Sequence, residues 1–361
     1  MCVCLNRKYH WKQLQNYCTH LFEKAGLQKK DAQVVAESLI MADLRGVDSH
    51  GVVRTDIYLS RLKAGMINLD SEMEIKANGP VALLDGKNRF GSIVGSKALD
   101  LAIDRTKRFG ISAVGVKHSN HFGTCAYFLK KAIQHDLIMI ITSNASQTMP
   151  PLGGIRPFIG TNPFSVGVPT GNHPPFILDM ATSVVSRGKI IVAAQKGEKI
   201  PDTWAVDKYG NPTTDATDAL EGSVLPMGGA KGYGLSMFID IMSGVLTGAG
   251  FGKYVNNMYE NWEETQNVGH FFIGIDIKKF MPIEDFKKRI DQYFKEIKSE
   301  PKAPGIKEIY IPGEIEQRHV EERKQYGIEL PIKVEEELRK WGEAYHVNIN
   351  DYLLKPEEVF E

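Results

Sequence analysis

The chain has 361 residues, of which 42% are hydrophobic and 24% charged, the proportions of an ordinary globular protein. Its 44 basic and 44 acidic side chains cancel, so no one-signed field points to nucleic acid or an anionic membrane, and a small anionic ligand would need a local basic group. Cys2, Cys4, Cys18 and Cys125 lack zinc-type pairing, no apolar run approaches a membrane span, and no leader-like apolar segment follows the first basic residues, so a reduced, cytoplasmic protein with no metal is expected.

In chain order, residues 8–27 and 30–45 read as helices; the second places Val34, Val35, Leu39, Met41 and Ala42 on one broad face and stops at Gly46. Asp48 or Ser49 can cap a third helix running to about Ala64, before Gly65. Residues 1–70 therefore form a helical lobe. A change follows, and residues 71–280 read as a central α/β domain. Strands are expected at 81–86, 111–116, 137–142, 164–169, 176–178 and 271–275, and helices at 95–109 and 122–135. A glycine-rich turn at 228–234 opens a further helix to about Leu246. The alternation is not a regular βαβ wind, and several strand pairs are close enough to be antiparallel. Residues 281–361 turn helical, with an amphipathic stretch carrying Phe286, Ile290, Phe294 and Ile297 and charged helices at 314–326 and 332–344.

Four groups of residues carry chemistry. In a helix beginning near Asp48, His50, Arg54 and Tyr58 share one face, while Val53 and Ile57 point toward packing. Arg54 suits a carboxylate because its planar fork meets both oxygens, and His50 can exchange a proton near neutral pH. Ser49 can meet a substrate oxygen or cap the helix. His118-Ser119-Asn120-His121-Phe122-Gly123 lies between a strand and a helix; either histidine can serve as acid/base, and their spacing also admits a metal, although no carboxylate cluster completes a ligand set. Gly228-Gly229-Ala230-Lys231-Gly232-Tyr233-Gly234 allows close approach to a phosphate beside Lys231, yet it lacks the P-loop register. No G-x-G-x-x-G fingerprint occurs, and Gly248 to Gly252 ends a helix instead of following a strand. Asp179 ends an apolar strand, where it can hold a ribose, orient a histidine or cap the next helix.

These segments, with Gly160-Thr161-Asn162-Pro163, Asp179-Met180-Ala181-Thr182 and residues 200–215, resemble the type-2 malate/L-lactate dehydrogenase family, also called sulfolactate dehydrogenase-like. The resemblance runs from about residue 10 to about 345. It implies a non-Rossmann fold: a central mixed, largely antiparallel sheet with helices that binds NAD or alternatively NADP, covered by a helical domain built from both termini. It also implies homodimers whose cleft borrows residues from the neighbour. Carried onto this sequence, it makes His121 the acid/base, His50 the second candidate and Asp179 a residue near the proton path. It makes Ser49, Arg54 and Tyr58 substrate-binding, and Asn144, Asp179, Met180, Ala181, Lys231 and Asp276 cofactor-binding.

The expected activity is hydride exchange between the nicotinamide and a small 2-hydroxy acid. L-malate is placed first because His121-Phe122-Gly123 follows the malate/lactate pattern. L-lactate or another 2-hydroxy acid comes next. Ureidoglycolate is third, suggested by residues 201–215 and 304–310. Readings from other classes are a dinucleotide-binding protein without catalysis and a zinc hydrolase using His118 and His121.

Overall fold

Alternation of apolar side chains sets the centre of the molecule. In Leu137–Ser143, Leu137, Met139 and Ile141 are buried on one face, and Val114 and Val116 do the same in Ile111–Ser119. The computed structural model describes residues 7–352. Within them the chain runs β1 (Arg7–Tyr9), α1 (Trp11–Lys24), α2 (Lys29–Leu44), a 3-10 turn (Asp48–His50), α3 (Arg54–Lys63), β2 (Glu74–Asn78), β3 (Val81–Asp85), α4 (Gly91–Phe109) and β4 (Ile111–Ser119). It continues through α5 (Cys125–Ile133), β5 (Leu137–Ser143), β6 (Phe164–Val168), β7 (Phe176–Met180), α6 (Arg187–Lys196), β8 (Ala205–Val206), α7 (Ala216–Glu221), β9 (Ser223–Val224) and α8 (Ala230–Asp240). A π-helical segment (Ile241–Val245) then leads to β10 (Val268–Asp276), α9 (Ile283–Ser299), α10 (Glu314–Tyr326), β11 (Ile328–Leu330) and α11 (Ile332–Tyr345).

The main sheet has the order β2-β3-β4-β10-β5-β6-β7, and every neighbouring pair is antiparallel except β3–β4. That one parallel pair needs a long crossover, which α4 supplies. The mixed, largely antiparallel sheet expected from the family resemblance is therefore present, and no regular βαβ wind occurs among the described residues. Val94, Ala98 and Leu99 of α4 and Phe128 of α5 join Val114, Val116 and Phe272 in one buried cluster. Gly115, pointing the opposite way in β4, faces Thr247 just after the π segment. Each fully buried Leu or Phe in such a cluster contributes roughly 1.5–3 kcal/mol.

A second cluster draws on both ends of the chain. Tyr9, Leu14, Leu21 and Leu39 pack with Val320, Leu338 and Val347, and β1 pairs antiparallel with β11. A third, smaller cluster joins α6, α7, β8 and β9 through Ile190, Ala205, Ala219 and Val224.

Several sequence-based expectations shift. The first helix begins at Trp11 because residues 7–9 pair as a strand. β2 is an exposed edge strand with no buried face, so its sequence carried no alternation to read. The helix after Phe122 starts only at Cys125. Cys2 and Cys4 lie outside the described residues. Among the described residues, no helix is long and apolar enough to cross a membrane.

Candidate active site

One wall of the candidate site grows from the sheet. β4 ends at Ser119, and the next two residues are tied down by hydrogen bonds. Asn120 Nδ2 donates to the carbonyls of Asn88 (3.0 Å) and Arg89 (2.9 Å), and the His121 N–H donates to Gln266 Oε1 at 2.9 Å. Behind them His270, wholly buried in β10, lies with Nδ1 2.8 Å from Ser143 Oγ and Nε2 2.8 Å from Ser119 Oγ. Its ring stacks flat on Phe122 at 3.9 Å. The His121 ring thus projects from a fixed loop. The Tyr58 hydroxyl lies 2.7 Å from its Nδ1, leaving Nε2 for a ligand.

The facing wall belongs to the helical layer. Asp43 Oδ2 accepts the Val52 N–H at 2.9 Å, and a Cβ on Gly51 would fall 1.7 Å from Asp43 Oδ1, so the turn closes only with glycine there. Arg323 of α10 donates to the Asp43 carbonyl and pairs with the Asp48 carboxylate. The expected continuous helix from Asp48 is not formed: a 3-10 turn at 48–50 precedes α3, and Ser49 makes no capping bond. Ser49 Oγ instead lies 2.9 Å from His50 Nδ1, while the Ser49 carbonyl accepts Arg54 Nε at 2.6 Å. The Arg54 guanidinium rests over the Tyr259 ring at 5.6 Å. Across the gap the His50 and His121 rings are 5.4 Å apart.

A cleft of about 390 Å³ separates the walls. Ser49, His50, Arg54 and His121 line one part; Asn144, Asp179, Met180 and Ala181 line another. Asn144 is engaged on both sides of its amide, donating to the Gly250 carbonyl at 2.6 Å and accepting the Gly269 N–H at 2.9 Å. Asp179 accepts the Ala126 N–H at 2.8 Å and the Ser165 hydroxyl at 2.6 Å, so its carboxylate caps the first turn of α5 from a neighbouring strand. Lys231 is exposed at the start of α8. Its turn packs on the Asp179–Thr182 segment: the Met227 N–H donates to the Thr182 carbonyl at 2.9 Å, and a Cβ on Gly232 would lie 2.8 Å from that same oxygen.

Three expected residues do not line the cleft: Lys231 at its outer turn, Tyr58 and Asp276. Tyr58 is buried behind His121 and does not line the cleft, so its hydroxyl meets the imidazole and not an open substrate space. Asp276 is at the opposite end of β10 from Val268, roughly 26 Å away at the strand rise. There it caps the turn at Ile277–Lys279 by accepting the Lys278 N–H, so the fold does not bring it to the cleft. His118 also leaves: it adopts a left-handed φ of 50° and places Nδ1 3.0 Å from Asp85 Oδ1, away from the Tyr58 partner of His121. Among the described residues no group of three His, Cys, Asp or Glu converges as a metal site requires.

Burial governs the protonation of the site. It pushes His50 down to about 3, helped by Arg54. His121 is held well below the usual histidine range by burial first, then by Arg54, His50 and His270. Burial raises Asp179, against the hydrogen bonds from Ser165 and Ala126. Near neutral pH both cleft imidazoles are neutral, hence competent proton acceptors beside a guanidinium. Sequence reasoning missed Arg45, Thr124, Thr148 and Gln266, which also line the cleft. Arg45 is only three residues before Asp48; the others stand in loops with no pattern to mark them.

A neutral imidazole beside an arginine, on a mixed sheet without a dinucleotide fingerprint, is the equipment of a 2-hydroxy acid oxidoreductase of the non-Rossmann kind. The family model described as malate/L-lactate dehydrogenase matches residues 9–339. The malate dehydrogenase of Pyrococcus abyssi (strain GE5 / Orsay) is 41% identical over 337 residues, covering 91% of this chain and 92% of that protein. The ureidoglycolate dehydrogenase (NAD(+)) of Escherichia coli O157:H7 is 36% identical over 310 residues, covering 85% and 88%. The solved sulfolactate dehydrogenase of Methanocaldococcus jannaschii superposes with a TM-score of 0.91 at 39% identity, covering 96% of this chain and 99% of that one. The chain belongs to the malate/L-lactate dehydrogenase family. It is accordingly a dehydrogenase that works with a nicotinamide cofactor, and the family and fold expected from its sequence motifs hold.

Proposed function

We propose that the protein oxidises L-malate to oxaloacetate, and runs the reverse reduction, with NAD as the first-choice cofactor and NADP as the alternative. The observation that carries this reading is the cleft itself, where Arg54 and His121 face one space with His50 5.4 Å from His121. L-lactate and ureidoglycolate are the alternative substrates.

The cleft suits a dinucleotide. The Thr124 and Thr148 hydroxyls are buried in its wall without hydrogen-bond partners among the described residues, and such oxygens favour a ligand rich in amide, hydroxyl and phosphate groups. Met180, Ala181 and the backbone around Asn144 and Asp179 would hold it, with Lys231 at the outer turn. When bound, the nicotinamide supplies a hydride acceptor. Arg54, braced through Nε on the Ser49 carbonyl, offers its remaining N–H groups to the C1 carboxylate and fixes the substrate. His121 Nε2 takes the hydroxyl proton as C2 is oxidised. Tyr58 positions this base: its hydroxyl accepts Nδ1–H while directing its own proton to the His121 carbonyl at 3.5 Å, both while Nε2 is free and after Nε2 has taken the substrate proton. Burial raises the Tyr58 phenol, which therefore stays protonated in both states. Ser49 and His50 border the substrate oxygens, and His50 is the second acid/base candidate.

The same reading makes the protein a cytoplasmic homodimer, with residues 1–70 and 281–361 forming one helical lobe and 71–280 the cofactor domain. The exposed apolar side chains of Phe238, Ile241, Val245 and Leu246, on α8 and beyond, support a partner surface. The free buried thiols of Cys18 and Cys125 fit a reducing compartment.

His121→Ala should lower kcat for oxaloacetate reduction by about 10³-fold while the NADH dissociation constant changes little. Unchanged turnover would remove His121 from the chemistry. A panel of 2-keto acids with NADH and NADPH ranks substrate and cofactor.

A further inference from the structure

Arg45 ends α2 and enters the turn that carries the Asp48–Arg54 segment. It is 3% exposed, its Nε is buried without a hydrogen-bond partner among the described residues, and it lines the same cleft as Arg54 and His121. A guanidinium that is taken from water and left incompletely satisfied is costly in the empty protein. Its cost falls if an anion arrives. Opposing charge comes from Glu316 of α10 and from Asp179, both in the cleft wall. Asp179 already spends its oxygens on Ala126 and Ser165. Three arginines line the cleft: Arg187, exposed and donating to the Leu220 carbonyl, and the more buried pair on the turn-and-helix wall, Arg54 and Arg45, of which one is enough for a monocarboxylate.

We propose that Arg45 is a second anion-binding point, which receives the distal acid group of a dianionic 2-hydroxy acid while Arg54 holds the C1 carboxylate. This rests on the proposed 2-hydroxy acid chemistry and names the residue that reads the acid group at the far end of the substrate. A planar fork binds such an oxyanion. Glu316 sets the selectivity from the other side. A monoanion leaves the Arg45–Glu316 attraction undisturbed, whereas a dianion has to compete with the carboxylate for Arg45.

The test compares a four-carbon 2-keto diacid with a three-carbon 2-keto monoacid, both with NADH, in wild type, Arg45→Gln, Arg45→Lys and Glu316→Gln. Arg45→Gln should cut kcat/KM for the diacid by about 100-fold and for the monoacid by less than about 3-fold. Arg45→Lys should recover part of the diacid rate, since it keeps the charge but loses the fork. Glu316→Gln should improve diacid use by about 3-fold and leave the monoacid unchanged. NADH affinity should be the same in all four proteins. Thermal protection by the diacid, read without turnover, should vanish in Arg45→Gln. Equal losses for both acids, or a parallel loss of NADH binding, would overturn the assignment in favour of a structural or cofactor-phosphate role. A wild type that reduces the monoacid as well as the diacid overturns this inference alone; one that reduces no 2-keto acid, yet is still protected by the diacid through Arg45, overturns only the proposed reaction.

Discussion

The two walls of the cleft are held by different physics. Residues 118–124 are part of the sheet core: His270 bridges Ser119 and Ser143 and stacks on Phe122, and Asn120 and His121 are pinned by Asn88, Arg89 and Gln266. Residues 43–54 are held by a helix from the far end of the chain, through Arg323 on Asp48 and the Asp43 carbonyl, plus the buried Asp43–Val52 bond. The proton-handling wall depends on buried hydrogen bonds and ring stacking. The anion-gripping wall depends partly on an ion pair whose Asp48 side chain is 58% exposed. The lesson is that precision is built deep where a proton must move, while the carboxylate grip is allowed a salt-sensitive brace.

The contrast can be broken or sharpened by substitution. The largest effect should come from Gly51→Ala, because the new methyl group meets the buried Asp43 carboxylate at 1.7 Å. A stability loss of about 3 kcal/mol in urea unfolding is expected, with substrate KM rising before NADH binding changes. A neutral result would mean the turn has room the packing does not indicate.

Next is the acid response of the sheet wall. Burial pushes His270 down to about 3, below its unfolded value, so the unfolded chain binds the proton first. Stability from this group is complete above about pH 6.5 and is lost as pH falls toward 3. Between pH 7.5 and 5 the loss is about 2 kcal/mol. His270→Gln, which does not titrate, should flatten that part of the stability curve; an unchanged slope would show that His270 does not carry it.

The smallest effect belongs to the helical brace. Arg323→Gln should cost at most about 1 kcal/mol, and the wild type should approach the variant as salt rises to 0.5 M, roughly. A salt-independent loss of several kcal/mol would erase the distinction between the walls.

Much of this was legible beforehand. The order of motifs gave the family, and alternation at 111–116 and 137–142 located the centre of the sheet. Helices 314–326 and 332–344 stood out by charge and period. What could not be read depends on partners distant in sequence. Residues 7–9 become a strand only because 328–330 arrive beside them, and Tyr58 turns from the open space to His121 because the 118–124 loop is brought behind it. Asp276 was expected at the cofactor from a loosely matching strand, and the length of β10 carries it away. Arg45 and Glu316 had no motif to announce them, since each looks like any charge on a helix until the cleft closes around it.

The pairing of β1 with β11 has a consequence for synthesis. Tyr17 donates its hydroxyl to the Leu338 carbonyl, so the first helix completes its seat only after residue 338 has left the ribosome. Until then α1 and α2 have apolar surface that nothing covers. The nascent sheet can assemble meanwhile, which makes the early helices the segment most in need of a chaperone's shelter.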